Sequence, residues 1–216
     1  MAMAGSAKTK IMAAALEEPD RARLLIEAAD DLLGEEGLEG LTIRAVLART
    51  GLARRAFYER FQGKDDLVLA VFETTLRAAA IHFASEAQKC AGPMEALHAI
   101  VSGIIVGQLD YEDEGGDRRG AALSREHLRL AQSRPEELQN ALRPLLDLIA
   151  GQVAVGIEQG VMRKVDPKIQ AQLIYNLVST TTHTVLLQEE GGRPDREARR
   201  ALAEDIWEFC RRGVSA

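Results

Sequence analysis

Basic and hydroxyl side chains crowd into one short stretch of the chain, residues 41–67, which read LTIRAVLARTGLARRAFYERFQGKDDL. Residues 40–64 hold six basic side chains and one acidic side chain, a local formal charge of +5 in a chain of formal charge −6. Arginine and lysine bind phosphate oxygens, and arginine also pairs with guanine at two points. The pattern therefore predicts a local phosphate-binding surface on an acidic protein.

Two short helices joined by a glycine turn are predicted to position these side chains. Thr42 precedes an apolar helical pattern in residues 43–47, where its hydroxyl can accept a bond from the first helical turn. Gly51 can take the positive φ of a sharp turn. Apolar residues in 52–61 then fit the inner side of a second helix. A solvated basic helix is the simpler alternative, but charge, turn glycine and apolar spacing all favour a helix-turn-helix.

This stretch resembles the TetR family of bacterial one-component transcription regulators over about the first quarter of the chain. The resemblance rests on order, spacing and aromatic identity together. Its elements are a first helix ending at Gly37, the segment LTIRAVLARTGL, a helix ending in Phe57 and Tyr58, and then Phe61, Lys64 and Leu67.

The resemblance implies a homodimer that reads a palindromic DNA operator. Phosphate contacts are expected from the residues matching Thr42, Tyr58 and Lys64, and groove contacts from those matching Arg44, Arg54 and Arg55. Ala53 and Ala56 occupy DNA-facing positions where the family commonly has a hydroxyl residue. Gly63 replaces a frequent Ser or Asn before Lys64. Ala56 could instead contact a thymine methyl group.

An all-α fold of about nine helices is predicted, with a three-helix DNA-binding domain and a larger helical domain for effector binding and dimerisation. The predicted divisions are an N-terminal arm (1–19), the helix-turn-helix domain (20–66) and the second domain (67–216). Prolines and apolar periodicity place helices near 20–36, 64–89, 93–109, 118–132, 136–160, 167–188 and 195–212, besides the two helices of the motif. Pro144 is expected to kink or split its helix, and residues 111–119 to form a flexible loop.

The last two predicted helices carry wide apolar stripes. The resemblance implies that they form a four-helix dimer interface, whereas the alternative is that they only close the core of the monomer. The predicted interface residues are Leu173, Leu177, Thr181, Leu202, Ile206 and Phe209.

Polar residues set among apolar ones are the candidates for the pocket of an unidentified small-molecule effector. They are His82, Gln108, Tyr111, His127, Gln152, Tyr175 and Asn176, with His98 and His183 also considered. The run from Thr180 to His183 is interpreted as interface or helix backbone bonding rather than a binding site. A ligand that favours a displaced helix 64–89 would change the separation of two recognition helices, about 34 Å, and release the operator.

Several function classes lack support in the sequence. Cys90 and Cys210 do not recur at metal-ligand spacing, and no metal or cofactor is predicted. The catalytic patterns GxSxG, GxxxxGK[ST], HExxH and CxxC are absent from the printed sequence, so no enzyme is predicted. No apolar run is expected to span a bilayer, and a cytoplasmic location follows. The alternative function is a helical dimeric module that binds a small molecule or protein and no longer reads DNA.

Overall fold

The computed structural model describes residues 18–109, 114–189 and 195–216. Within these ranges the chain forms nine helices and no strand, as the all-α prediction requires. They are α1 (Glu18–Gly40), α2 (Ile43–Thr50), α3 (Arg54–Tyr58), α4 (Lys64–Ala87), α5 (Pro93–Leu109), α6 (Glu114–Ser133), α7 (Pro135–Glu158), α8 (Pro167–Gln188) and α9 (Arg196–Val214).

Helix α1 covers the backs of α2 and α3. Its apolar stripe is buried, at Leu25, Ala28, Ala29, Leu32 and Leu33. The helix runs on to Gly40 rather than ending near residue 36, but it is kinked at Gly37, where φ is 68°. A positive φ costs glycine little, so the chain can turn there toward Leu41, which is fully buried.

Helix α4 links the DNA-binding motif to the rest of the chain. The expectation that no apolar run is long enough to span a bilayer was wrong by length and composition, because an 18-residue window of this 24-residue helix has a mean hydropathy of 1.5. Its apolar composition is accounted for by packing against α1, α5 and α7. Its buried residues are Leu67, Val68, Leu69, Val71, Phe72, Ala80 and Phe83.

Helix α5 lies at the centre of the larger helical region, in contact with α4, α7, α8 and α9. Its approach to α4 is close at Gly103, where a Cβ atom would stand 2.4 Å from Cε1 of Phe83. Helix α9 ends against the loop before α8, and the Arg163 amide donates to the Val214 carbonyl at 2.9 Å. The helices thus enclose one continuous aliphatic core.

Two local predictions need correction. Residues 114–119 are not a loop, because α6 begins at Glu114 and Arg119 is anchored by Asp30 at 2.7 Å; Tyr111 lies outside the described residues. Pro144 does not split α7, which continues from Pro135 to Glu158 with buried Leu142 and Leu145 beside the proline. The helix start indicated by Ser133 ahead of Pro135 is present, since α7 begins at Pro135, and the Ser133 hydroxyl donates back to the Arg129 carbonyl at 2.9 Å.

Candidate nucleic-acid interface and effector site

Helix α2 begins and ends as its residue types require. The Ala45 amide donates to Thr42 Oγ1 at 3.1 Å, so the predicted cap is present. Gly51 follows the helix in the left-handed conformation, with φ 69°, and its amide donates to the Leu47 carbonyl at 3.0 Å. The Arg49 guanidinium pairs with Glu35 of α1, so this basic residue ties the motif together. The turn between α2 and α3 is therefore fixed from both sides.

Helix α3 buries one aromatic ring and exposes its basic side chains. Phe57 is fully buried and packs against Phe61, with ring centroids 5.5 Å apart. Arg54 and Arg55 point to solvent, and Arg54 lies over the Tyr58 ring at 5.4 Å and donates to its hydroxyl at 3.2 Å. A buried aromatic anchor thus presents a basic outer face to a duplex.

One acidic side chain organises this basic face. Arg55 Nε donates to Glu59 Oε1 at 2.9 Å, and Arg21 of α1 lies 3.8 Å from Glu59 Oε2. The Arg55 side chain is 90% exposed. Its contact uses the Nε edge and leaves the two terminal nitrogens for the two acceptors of a guanine. Glu59 therefore orients Arg55.

The other predicted DNA-facing residues lie on or beside this face. Arg44 and Ala53 are exposed, and Ala56 is half-buried against the core of the motif. Ala53 precedes α3 without a side-chain cap, as its lack of a hydroxyl requires. Lys64 Nζ donates to the Leu38 carbonyl at 3.0 Å, so a phosphate contact would use its two remaining N–H groups.

Arginine side chains join α6 and the start of α7 to the DNA-binding motif. Arg119 Nε donates to Asp30 of α1 at 2.7 Å. Arg129 makes two bonds to Asp65, and Arg134 lies 2.5 Å from Asp66, both acids in the first turn of α4. Hydrogen bonds from the Gln62 amide and Arg134 outweigh burial and lower the pKa of Asp66. The first turn of α4 is thus held by charge as well as by packing.

A buried polar cluster lies where α4, α6 and α8 meet. The His127 ring of α6 is 5.0 Å from the His183 ring, 6.3 Å from the Tyr175 ring and 6.2 Å from the Phe72 ring. Ser179 Oγ lies 3.0 Å from His183 Nε2. His183 is 8% exposed, and its Nδ1 has no hydrogen-bond partner among the residues that the structure describes.

Burial sets the protonation of this cluster. Desolvation lowers the pKa of His183 to about 4, with a smaller contribution from His127. It also lowers the pKa of His127. Desolvation raises the pKa of Tyr175 to about 12. At neutral pH both imidazoles are uncharged and the phenol keeps its proton.

The structure brings together only part of the predicted effector set. His127 and Tyr175 meet, and His183 joins them. The helix backbone bonding interpreted for the Thr180–His183 run is present at Thr182, whose hydroxyl donates to the Val178 carbonyl at 2.9 Å. His82 is exposed beside Phe83, and Asn176 is exposed and accepts from Gln172 at 2.9 Å.

The remaining predicted effector residues do not join this cluster in the described contacts. Gln152 is half-buried on α7, whereas the Gln108 side chain and Tyr111 lie outside the described residues. His98 stacks on Trp207 with ring centroids 4.5 Å apart.

Sequence reasoning missed Phe72 and Ser179. The available signal was the spacing of Tyr175, Ser179 and His183, which are four residues apart and so share one face of a helix. No group of three or more His, Cys, Asp or Glu side chains in the described part of the chain could hold a metal ion.

Helices α8 and α9 expose apolar side chains. Leu173 is 57% exposed and Phe209 is 70% exposed, and Ile169 continues the exposed face one turn before Leu173. Leu177, Thr181 and Leu202 are half-buried, whereas Ile206 is 5% exposed and belongs to the core of its own chain. The prediction of Ile206 as an interface residue is therefore corrected.

Residues 25–71 match the family model described as bacterial regulatory proteins, tetR family. The matched range begins in α1, includes all of α2 and α3, and ends in the second turn of α4. It therefore contains all the predicted DNA-binding residues, from Thr42 to Lys64.

Over the longer chain, the comparisons find proteins of the same architecture. The chain is similar to the fatty acid metabolism regulator protein of Bacillus subtilis (strain 168), 21% identical over 170 residues that make up 77% of this chain and 84% of that protein. It is similar to the structure of the transcriptional regulator FadR from Bacillus subtilis in complex with stearoyl-CoA, with a TM-score of 0.68, 19% identity, and coverage of 87% of this chain and 96% of that one. It is also similar to the structure of RolR with the ligand resorcinol, with a TM-score of 0.69, 16% identity, and coverage of 91% and 88%. At these identities the two structures show a shared fold.

Proposed function

We propose that this chain, whose residues 25–71 match the tetR family of bacterial regulatory proteins, is a repressor of that family that is released from its operator by a small-molecule effector. The observation that carries the proposal is the basic face of α3, where Arg54, Arg55 and Tyr58 stand on a buried Phe57. A rigid helix with outward arginines fits the major groove and can read base edges there.

The proposed division of labour follows from exposure and contacts. Arg55, oriented by Glu59, reads a guanine, while Thr42 and Tyr58 contact phosphates and set the register. Because phosphate contacts release counterions, binding should weaken steeply as salt rises.

We propose that two copies pair through the exposed apolar face of α8 and α9. Ile169, Leu173 and Phe209 are exposed on that face. Pairing with a second copy would remove these apolar side chains from water. A two-fold pair of subunits presents two copies of α3 to two half-sites, which suits a palindromic operator. The protein then acts in the cytoplasm as a regulator rather than as an enzyme.

The effector is proposed to act on the arginine contacts that hold α1 and α4. A ligand beside His127 moves α6, and α6 carries Arg119 and Arg129, the partners of Asp30 and Asp65. The response can be no larger than the difference in ligand affinity between the two arrangements. The similar structures bind different ligands, stearoyl-CoA in one and resorcinol in another. The effector of this chain therefore cannot be identified from the similarity alone.

Selection of bound duplexes from a random library tests DNA reading, followed by affinity for the enriched sequence as a function of salt. We expect a palindrome with half-sites about one duplex turn apart. Arg55→Ala should lose discrimination at one base position, whereas Arg200→Ala, an equal charge change on exposed α9, should not. If a folded dimer enriches no sequence, the chain is a binding module that no longer reads DNA.

Sedimentation equilibrium tests the dimer. Leu173→Glu with Phe209→Glu should shift the protein to monomer because two charges would be buried in the interface. The matched control is Ile81→Glu with Leu128→Glu, two exposed apolar residues outside this face. Dissociation by the control pair and not by the first pair would place the interface elsewhere.

A further inference from the structure

One polar atom in the buried cluster has no partner within the described part of the chain. His183 is more than nine-tenths buried, and its Nδ1 makes no hydrogen bond to a described residue, although its Nε2 is 3.0 Å from Ser179 Oγ. A buried unpaired donor or acceptor costs free energy, and native proteins rarely leave one unless water, a ligand or function explains it.

The direction of the Ser179–His183 hydrogen bond defines what Nδ1 offers. Ser179 is buried, and His183 Nε2 is the partner of its hydroxyl among the described residues. A serine hydroxyl always carries a proton to donate. When Ser179 donates that proton to His183 Nε2, both groups are satisfied. The neutral imidazole therefore carries its proton on Nδ1, which faces the cluster as a donor.

The reverse direction fits less well. If His183 Nε2 donated to Ser179 instead, the Ser179 hydroxyl proton would have no acceptor among the described residues. Two buried groups would then be unpaired rather than one. Desolvation keeps His183 and His127 neutral by lowering the pKa of each, so the cluster offers a donor without a full charge.

We propose that this cluster is the polar subsite of the effector site and that His183 Nδ1–H binds the uncharged carbonyl oxygen of an otherwise apolar ligand, such as an ester or a thioester. The assignment rests on the proposed function, because it names the chemistry that the effector presents. His127, Tyr175 and Phe72 supply the walls of the subsite. The carbonyl oxygen replaces the missing partner of Nδ1, and a neutral site favours it over a carboxylate.

Two substitutions of His183 separate ligand reading from a structural role. Asparagine places an amide N–H near the position of Nδ1 and gives up the bond to Ser179, whereas glutamine reaches Ser179 and gives up Nδ1. We expect His183→Asn to keep affinity for methyl laurate or lauroyl-CoA, and His183→Gln to bind roughly tenfold more weakly, the factor for one lost hydrogen bond. A merely structural role predicts the opposite order. Equal affinity of both variants would mean that water satisfies Nδ1, and it would overturn the assignment.

The probes are methyl laurate, lauroyl-CoA and laurate, with binding measured by calorimetry on the full chain. Binding of methyl laurate alone identifies an ester-type carbonyl, and binding of lauroyl-CoA as well identifies an acyl thioester as an effector. Tighter binding of laurate than of methyl laurate would contradict an uncharged acceptor, and so would failure of all three to bind.

Nitrogen-15 NMR of labelled histidine reports which ring nitrogen carries the proton, without any ligand. A proton on Nδ1 of His183 supports the proposal, and a proton on Nε2 overturns it. Operator selection is measured separately. If the chain selected an operator but bound none of the probes, the subsite proposal would be overturned and the proposed function would stand.

Discussion

Arg129 of α6 holds Asp65 of α4 at two points, with Nη1 3.0 Å from Oδ2 and Nη2 2.9 Å from Oδ1. The same guanidinium donates through Nε to Glu126 Oε2 at 2.9 Å, and Glu126 is buried. Two acids therefore share one arginine that lies two residues from His127. A shift of α6 at the buried cluster would therefore move the first turn of α4 through the Arg129–Asp65 contact.

The first prediction concerns the unequal burial of those two acids. Arg129→Met leaves Glu126 buried without its guanidinium and should lower the free energy of unfolding by about 1–3 kcal/mol, at or below the range for broken buried pairs because Arg129 is partly exposed. Asp65→Asn should cost less than about 1 kcal/mol, since that pair is half-exposed. Urea unfolding checks both values. Adding Glu126→Gln to Arg129→Met should restore stability, and no recovery would contradict the argument.

The second prediction separates two roles of Thr42. Its hydroxyl caps α2, as Asp166 caps α8 by accepting from two amides at 2.8 and 3.3 Å. Thr42→Ala and Asp166→Ala should each lower the free energy of unfolding by about 1 kcal/mol. Only Thr42→Ala should also weaken DNA binding, because only Thr42 lies on the basic face. Thermal unfolding and fluorescence anisotropy measure the two effects, and Thr42→Ser should retain both functions.

The third prediction concerns Glu59, which is an acid on a basic face. Glu59→Ala removes a charge that repels phosphate, so affinity for random duplex should rise. It also removes the group that orients Arg55 through Nε, so discrimination at the base read by Arg55 should fall. Glu59→Gln keeps an acceptor and should raise random affinity while retaining discrimination. Competition assays with single-base operator variants measure both effects, and unchanged discrimination in Glu59→Ala would contradict the positioning role.

The fourth prediction is a pH dependence of stability. The pKa of His183 falls from an ordinary 6.5 to about 4 on folding because the ring is buried. Below pH 6.5 His183 binds a proton in the unfolded chain but not in the folded chain. The free energy of unfolding therefore decreases as the pH falls from 6.5 to about 4. The loss from His183 is about 3 kcal/mol over that window, and the lowered pKa of His127 adds a loss of the same sign.

The control for this pH dependence is His82→Gln, since His82 is exposed. Urea unfolding at a series of pH values should show a flatter profile for His183→Gln and an unchanged one for His82→Gln. Carboxylates contribute at lower pH: hydrogen bonds from Arg211 and Arg212 lower the pKa of Glu208 to about 2. Equal profiles for the two histidine variants would contradict the assignment to His183.

The sequence by itself determined the helices and the DNA-binding motif, because those depend on local chemistry. Thr42 caps α2, Gly51 forms the turn after α2, and Phe57 anchors α3 in the core, each through contacts within a few residues. The spacing of side chains along one helix likewise indicates which residues share a face. Asp166 before Pro167 likewise marks the start of α8 with local signals alone.

Only the tertiary structure decided which distant side chains meet. His127 and His183 are 56 positions apart in the sequence, yet their rings are 5.0 Å apart. The helical period places Ser179 and His183 on one face of α8, but it does not show which residues pack against that face. Ile206 was predicted at the dimer interface, whereas the structure buries it in the core of its own chain. Packing between helices is set by the whole core at once, so the buried cluster and the arginine contacts of α6 could not be predicted from local patterns.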